Sequence, residues 1–197
     1  MKKALVAKAL NRIAKSLIAG NLDAETMARL DEAESQGKKY ILWKKDGRLW
    51  RIMACKDFAD VKKGDLGGLI ASEKNLDQKG NCWVYEKAKA YGNAMVIDNA
   101  CVYGNAEVYG DAIIQGKAQA YDNAEVYEKA CIFSYAKIYG NSKVYGKAAV
   151  ANEAKVFGNA DVCDNAFVYG KAIVCGEAMV CFDAKVNYQV SNGIIKE

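Results

Sequence analysis

The sequence has no histidine and no proline among its 197 residues, and the two absences bound its chemistry and its architecture. Without histidine the chain lacks the commonest general base, the commonest neutral metal ligand and the usual switch near physiological pH. Most familiar hydrolase and transferase schemes depend on that side chain and are closed to it. Without proline the backbone keeps its N–H groups, as suits a fold whose strands and corners all donate to ladder hydrogen bonds. The seven cysteines include no Cys-x-x-Cys pair. An odd count, with the first apolar run interrupted by Lys8, Asn11 and Arg12, points to reduced thiols in a cytoplasm and not to a secreted disulfide framework. No apolar run approaches the ~20 residues of a membrane span.

What is present is a globular composition, 52% hydrophobic and 26% charged, sufficient for a sizeable core. The net charge of +4 is local. Lys2, Lys3, Lys8, Arg12 and Lys15 stand in the first 20 residues without an acid, which leaves 23 bases against 24 acids in the remainder, a balance of −1.

From Cys82 onward the string VYGNAEVYGDA recurs with a period of six. Every sixth residue from Ala88 to Ala184 is alanine except Ser142, and two residues after each stands a Val, Ile or Ala, from Ala90 to Val186. Residues two apart on a strand share a face, so the small and the aliphatic residue point inward, while the residue between them and the following tyrosine point outward. A helix is excluded, because positions six apart fall on different helical faces.

A single hexad buries nothing alone, so hexads must coil and stack. The outward residue after the aliphatic one sorts into three columns. Tyr85, Tyr103, Tyr121, Tyr139, Phe157 and Cys175 form one; Tyr91, Tyr109, Tyr127, Tyr145, Cys163 and Cys181 form the next. Ile97, Gln115, Phe133, Ala151, Tyr169 and Asn187 form a third that is not tyrosine-rich, which gives a superperiod of 18 residues. Three hexads per coil predict a triangular prism of about six coils, ~29 Å long at ~4.8 Å per coil, with like residues stacked in ladders. Asn105, Asn123, Asn141 and Asn159 form one such ladder at a corner.

This pattern resembles the hexapeptide-repeat left-handed parallel β-helix family over more than half of the chain. The departure is a tyrosine between the aliphatic residue and the glycine of VYGNA, so the corner is expected to be built differently. Left-handedness is implied by the resemblance alone. The stretch LWRIMACKDFADVKKGDLGGLIASEKNLDQKGNCWVY is also similar to the lead-in of hexapeptide-repeat proteins encoded by bacteriophages and prophages.

Upstream of the repeat, residues 2 to 19 read as a basic amphipathic helix and Asp23 to Glu34 as a second, mixed-charge helix. Asp46-Gly47 between apolar runs predicts a hairpin, with Trp43, Trp50, Ile52 and Met53 as packing residues. Residues 57 to 82 read as an irregular cap on the first coil. The expected organisation is therefore N-terminal helices over 1–38, hairpin and cap over 39–82, and β-helix over 83–190.

Family resemblance implies acyltransferases with a histidine base at a subunit interface, or a zinc-binding carbonic anhydrase branch, and neither histidine set exists here. Glu107, Glu125 and Asp161 share an outward column with Lys89 and Lys143 and read as a solvated charge ladder. Cys163 and Cys181, one coil apart, read as packing thiols, with a bridge or a soft metal as the alternative. No metal or cofactor is expected.

Two surface features stand out. Met95, Ile113, Cys131, Ala149 and Phe167 form an outward apolar stripe, to be covered by another subunit of a homo-oligomer, with a trimer favoured by the resemblance, or by the N-terminal helix of the same chain. The tyrosine columns, Tyr85, Tyr91, Tyr103, Tyr109, Tyr121, Tyr127, Tyr139 and Tyr145, read as rigidifying ladders or as an aromatic surface for a protein partner. A small nucleotide is a further candidate ligand. The lack of interleaved Lys and Arg argues against a nucleic-acid groove, although the basic helix could meet phosphates or an anionic membrane surface. The expectation is a cytoplasmic, non-enzymatic solenoid that binds a partner or serves a structural role, with a phage-derived inhibitor or sequestering protein as its specific form. The alternatives are an acyltransferase-like enzyme without its usual base and a nucleic-acid-associated protein.

Overall fold

A computed structural model describes residues 22 to 196; the basic segment with Lys2, Lys3, Lys8, Arg12 and Lys15, and with it any helix covering the apolar stripe, lies outside the described residues. Helix α1 (Ala24–Ser35) begins at Asp23, whose carboxylate accepts from the Thr26 N–H at 2.7 Å. An antiparallel hairpin follows, β1 (Tyr40–Asp46) and β2 (Leu49–Ala54), and β2 continues antiparallel to β3 (Leu66–Ile70). None of the described helices is long and apolar enough to cross a membrane.

The repeat winds into a parallel β-solenoid. Two-residue rungs, from Trp83–Val84 to Ile194–Ile195, distribute in rotation onto three sheets, two of them with seven such rungs and the third with six, which gives about seven turns. Pairing runs in register at the 18-residue spacing, as in Glu107 on Glu125 on Lys143. The interior is what the alternation requires: Ala106, Val108, Ala112, Ile114 and their equivalents are fully buried. Ser142 enters the alanine column without an orphaned hydroxyl, because its Oγ donates to the Tyr139 carbonyl at 2.9 Å.

Each corner is solved by one residue in the left-handed region. The residue after the tyrosine has positive φ throughout, +63° at Gly104, +59° at Asp122 and +57° at Asp164. The next turn of chain is closed by the N–H of the small residue on the tyrosine carbonyl, as from Ala124 to Tyr121 at 3.3 Å. This is the different corner that the inserted tyrosine calls for, and it explains why Gly, Asp and Asn dominate that position. The asparagine column beside it is a hydrogen-bonded ladder, Asn105 to Asn123 at 3.0 Å, Asn123 to Asn141 at 3.0 Å and Asn141 to Asn159 at 3.1 Å.

The coil count differs from the six read in the repeat, because flanking segments without the hexad pattern add rungs. β3 pairs in parallel with Lys89–Ala90, and Leu76 bridges Val96. At the other end Gln189–Val190 and Ile194–Ile195 pair with Ile173–Val174 and Met179–Val180. The segment 57 to 82 is therefore partly coil, not only an irregular cap. An open prism end exposes unpaired N–H and C=O groups, and these accept any adjacent extended segment whatever its side-chain period.

The N-terminal end is closed by residues outside the repeat. Tyr40 and Phe58 meet Trp83 edge-on, with centroids 5.9 Å and 5.3 Å away. Lys39 is buried beside them, its Nζ donating to the Lys79 carbonyl at 3.1 Å and the Cys82 carbonyl at 3.0 Å. Burial draws this ammonium below its ordinary pKa. Ile52 and Met53 pack inward as expected, whereas Trp43 and Trp50 are only half-buried. Arg51 ties the hairpin to the solenoid through the carbonyls of Gly67 at 2.9 Å and Glu86 at 2.6 Å.

Candidate functional site

Three outward surfaces follow from the three sheets. On the first, the column Lys89, Glu107, Glu125, Lys143 and Asp161 stands beside the column Tyr91, Tyr109, Tyr127, Tyr145, Cys163 and Cys181. Tyr91, Tyr109, Tyr127 and Tyr145 stack in one parallel pile, with centroid separations of 5.1, 4.9 and 5.0 Å and interplanar angles of 2 to 3°. A second pile runs from Tyr121 through Tyr139 to Phe157, and Tyr85 stacks on Tyr103 at 4.5 Å. Tyr85 also donates to Asp60 at 2.6 Å, which anchors that pair to the cap.

Neighbouring columns on the first surface are cross-linked between coils. Tyr91 donates to Glu107 at 2.8 Å, and Lys89 reaches the other oxygen of the same carboxylate at 2.7 Å. Tyr109 donates to Glu125 at 3.0 Å, with Lys143 at 3.3 Å. Burial works to raise the Glu107 carboxyl, yet the hydrogen bonds from Lys89 and Tyr91 outweigh it and hold the group below its usual range. Burial raises the phenols of Tyr91 and Tyr109 far above their usual value, and the adjacent carboxylates add to the effect. The reading of Glu107, Glu125 and Asp161 as a solvated ladder is corrected here, for all three are half-buried and Glu107 and Glu125 are hydrogen-bonded into the tyrosine pile.

Asp161 differs from the other two acids. Its pKa is raised, first by burial, with Glu125 adding and the Lys143 charge opposing. It is a carboxylate held partly out of water, with its proton affinity raised by that burial. The hexad pattern puts it in the same column as Glu107 and Glu125, and the distinction arises from burial and the surrounding charges.

The apolar residues Met95, Ile113, Cys131, Ala149 and Phe167 occupy consecutive rungs of the adjacent sheet, Met95 being 40% exposed and the others half-buried. Between this stripe and the tyrosine surface an open groove follows the corner, lined among others by Asp111, Glu128, Lys129, Lys147, Asp164 and Asn165. Lys129 and Lys147 stand one coil apart in it, since Lys129 donates its backbone N–H to the Gly146 carbonyl at 2.8 Å.

Fold and surface thus define a parallel β-solenoid with a polar corner groove between an apolar and a tyrosine-carboxylate face. No protein-family model matches the chain. Over 57 residues the chain is 46% identical to a protein of Escherichia coli (strain K12) named "Uncharacterized acetyltransferase YdcK". That segment is 28% of this chain and spans 18% of that protein's length. The likeness overturns the expectation of a non-enzymatic protein, which rested on the missing histidine. Removing histidine removes one kind of base and leaves carboxylates as other groups of the kind that move protons.

Proposed function

We propose that this solenoid is an acyltransferase that takes the acyl group of a coenzyme A thioester and passes it to a primary amine or hydroxyl. The observation that carries this reading is the 46% identity over 57 residues to a protein named as an acetyltransferase. The corner groove supports it. Lys129 and Lys147 offer two cations to the phosphates of coenzyme A, and the groove leads past the surface that holds Asp161. Asp161 is the general base of the proposal. It takes the proton from the acceptor as the acceptor's lone pair attacks the thioester carbonyl, and as the carbon–sulfur bond breaks it returns that proton to the departing thiolate, which leaves as the free thiol. Calorimetry with acetyl-CoA should show saturable binding that Lys129→Glu combined with Lys147→Glu abolishes. Asp161→Asn should keep that binding and lower amine-dependent thiol release by on the order of 100-fold or more. A flat titration, or an unchanged rate in Asp161→Asn, refutes the respective part.

The groove is deepened in the proposed assembly by a second copy of the chain seated on the apolar stripe, in a homotrimer. Apolar side chains on five consecutive rungs make a continuous surface of the sort buried between subunits. Ile113→Lys combined with Phe167→Lys puts two charges into that contact. Light scattering should find the mass reduced to that of a monomer, and an unaltered mass would rule the stripe out as the contact.

A further inference from the structure

The tyrosine pile ends at Tyr145, and the next two coils put thiols where phenols would stand. Cys163 and Cys181 are 5% and 2% exposed and lie one above the other, since Cys163 donates its backbone N–H to the Val180 carbonyl at 2.8 Å. Their sulfurs and a carboxylate oxygen of Asp164 all lie within 4.8 Å of one another. Asp164 occupies a corner at φ +57°, its carboxylate accepts the Phe182 N–H of the next coil at 3.0 Å, and Cys163 Sγ lies 3.9 Å from the same oxygen. Cys181 Sγ is also 3.7 Å from the Ile195 carbonyl, contributed by the last rung.

We propose that Cys163, Cys181 and Asp164 form a binding site for a soft divalent cation, zinc or cadmium. The donor set selects the class of ion: two sulfurs favour a soft or borderline metal over magnesium or calcium, and one carboxylate completes three protein ligands. Two metal–sulfur bonds of ~2.3 Å at a tetrahedral angle require sulfurs roughly 3.8 Å apart, so a small rotation of side chains draws the present cluster onto an ion. The ladder itself supplies the preorganisation, because adjacent coils cannot slide without breaking their backbone pairing. The Phe182 N–H is the outer-shell group that holds the Asp164 carboxylate in place. Binding exchanges two thiol protons for the cation, and the fourth coordination position is left to water or to the Ile195 carbonyl. The site does not depend on the acyltransferase reading and is tested without reference to turnover.

The test uses the full chain, reduced with a phosphine and freed of metal by a chelator that is then removed. Cadmium is titrated while the ultraviolet sulfur-to-cadmium charge-transfer band is followed, and zinc is then added as a competitor. The expected result is one ion per chain, with an absorbance for two thiolates, displaced by zinc. Cys163→Ser and Cys181→Ser should each weaken binding by roughly 100-fold or more, beyond what loss of an outer-shell partner costs. Asp164→Asn leaves both thiols and the corner residue's size unchanged, and should weaken binding while the band per bound ion is retained. Cys131→Ser and Cys175→Ser, on the other two faces, should change nothing. Absence of the band, its survival in the Cys163→Ser/Cys181→Ser double variant, or its equal loss in Cys131→Ser overturns the proposal. Circular dichroism of each variant separates a lost ligand from a lost fold.

Discussion

Val126→Asp is expected to lower the melting temperature by roughly 10 °C or more, whereas changes to the residues on either side of it cost less. Val126 is fully buried and sits in register between Val108 and Val144, so a carboxylate there enters an interior of alanine and valine with no donor to meet it. An uncompensated buried charge costs about 3–5 kcal/mol, or the group takes up a proton at a comparable penalty. For a chain of this size each kcal/mol moves the midpoint by about 2–4 °C. Glu125→Ala gives up the contact with Lys143 at 3.3 Å and the hydrogen bond from Tyr109 at 3.0 Å, both half-exposed, and should cost about 1–2 kcal/mol. Tyr127→Phe keeps the ring in its pile and should fall in the same range. Thermal unfolding followed by circular dichroism reads all three, and similar losses at positions 125, 126 and 127 would contradict the inward-outward alternation. Because each coil touches only its neighbours, amide exchange in Val126→Asp should rise first at Glu107–Val108 and Lys143–Val144.

The second large effect is alkaline unfolding. The phenols of Tyr91, Tyr109, Tyr127, Tyr139 and Tyr145 are raised, and that of Tyr121 is pushed up to about 12, in each case first by burial within the piles. An unfolded chain releases these protons near a pH of about 10, while the folded chain retains them. The folded state therefore binds more protons in this window, and its stability falls as pH rises. The contribution is fully present below a pH of about 10 and is lost progressively as the raised values are approached. Summed over six phenols and reduced by solvent screening of their exposed edges, the expected fall in melting temperature between pH ~9 and pH ~11.5 is on the order of 10 °C. Tyrosinate absorbance should appear together with loss of the β-sheet signal. Tyr109→Phe combined with Tyr127→Phe should flatten the pH dependence. Phenols that titrate near pH ~10 in a chain that stays folded would refute the prediction.

Much of this molecule is legible residue by residue. The alternation of Ala, outward residue and Val identifies the inward positions, and the recurrence of tyrosine in two columns of three sets three hexads to a coil. The corner was legible only in part: Gly, Asp and Asn announce a turn, but Glu86, Glu128, Ser134 and Phe182 take the same left-handed conformation against their preference. There the pairing of coils on both sides overrides the local cost, as tertiary context commonly does.

The candidate site was less legible. Lys129 and Lys147 look like any two exposed lysines until the 18-residue pitch brings them together along one groove. The hydrogen bonds from Tyr91 to Glu107 and from Tyr109 to Glu125 join residues 16 apart, a separation that no motif marks. Asp161 acquires its distinct environment from burial between coils with the Glu125 and Glu177 charges nearby and only Lys143 opposing them, a combination that no motif marks. Histidine's absence weighed too heavily in the expectation of a protein without catalysis, since it excludes a mechanism and leaves other proton carriers in place.

The sequence by itself determined the period, the inward and outward faces and the number of sheets, because strand geometry converts a spacing of two and a recurrence of six directly into direction and stacking. Only the tertiary structure decided where the solenoid ends and what its surfaces become. Open rung edges recruit segments such as Leu66–Ile70 and Ile194–Ile195 through backbone groups that every residue carries. Proximity between coils then turns repeated tyrosines, acids and thiols into networks, and that proximity exists only once the chain has wound back on itself.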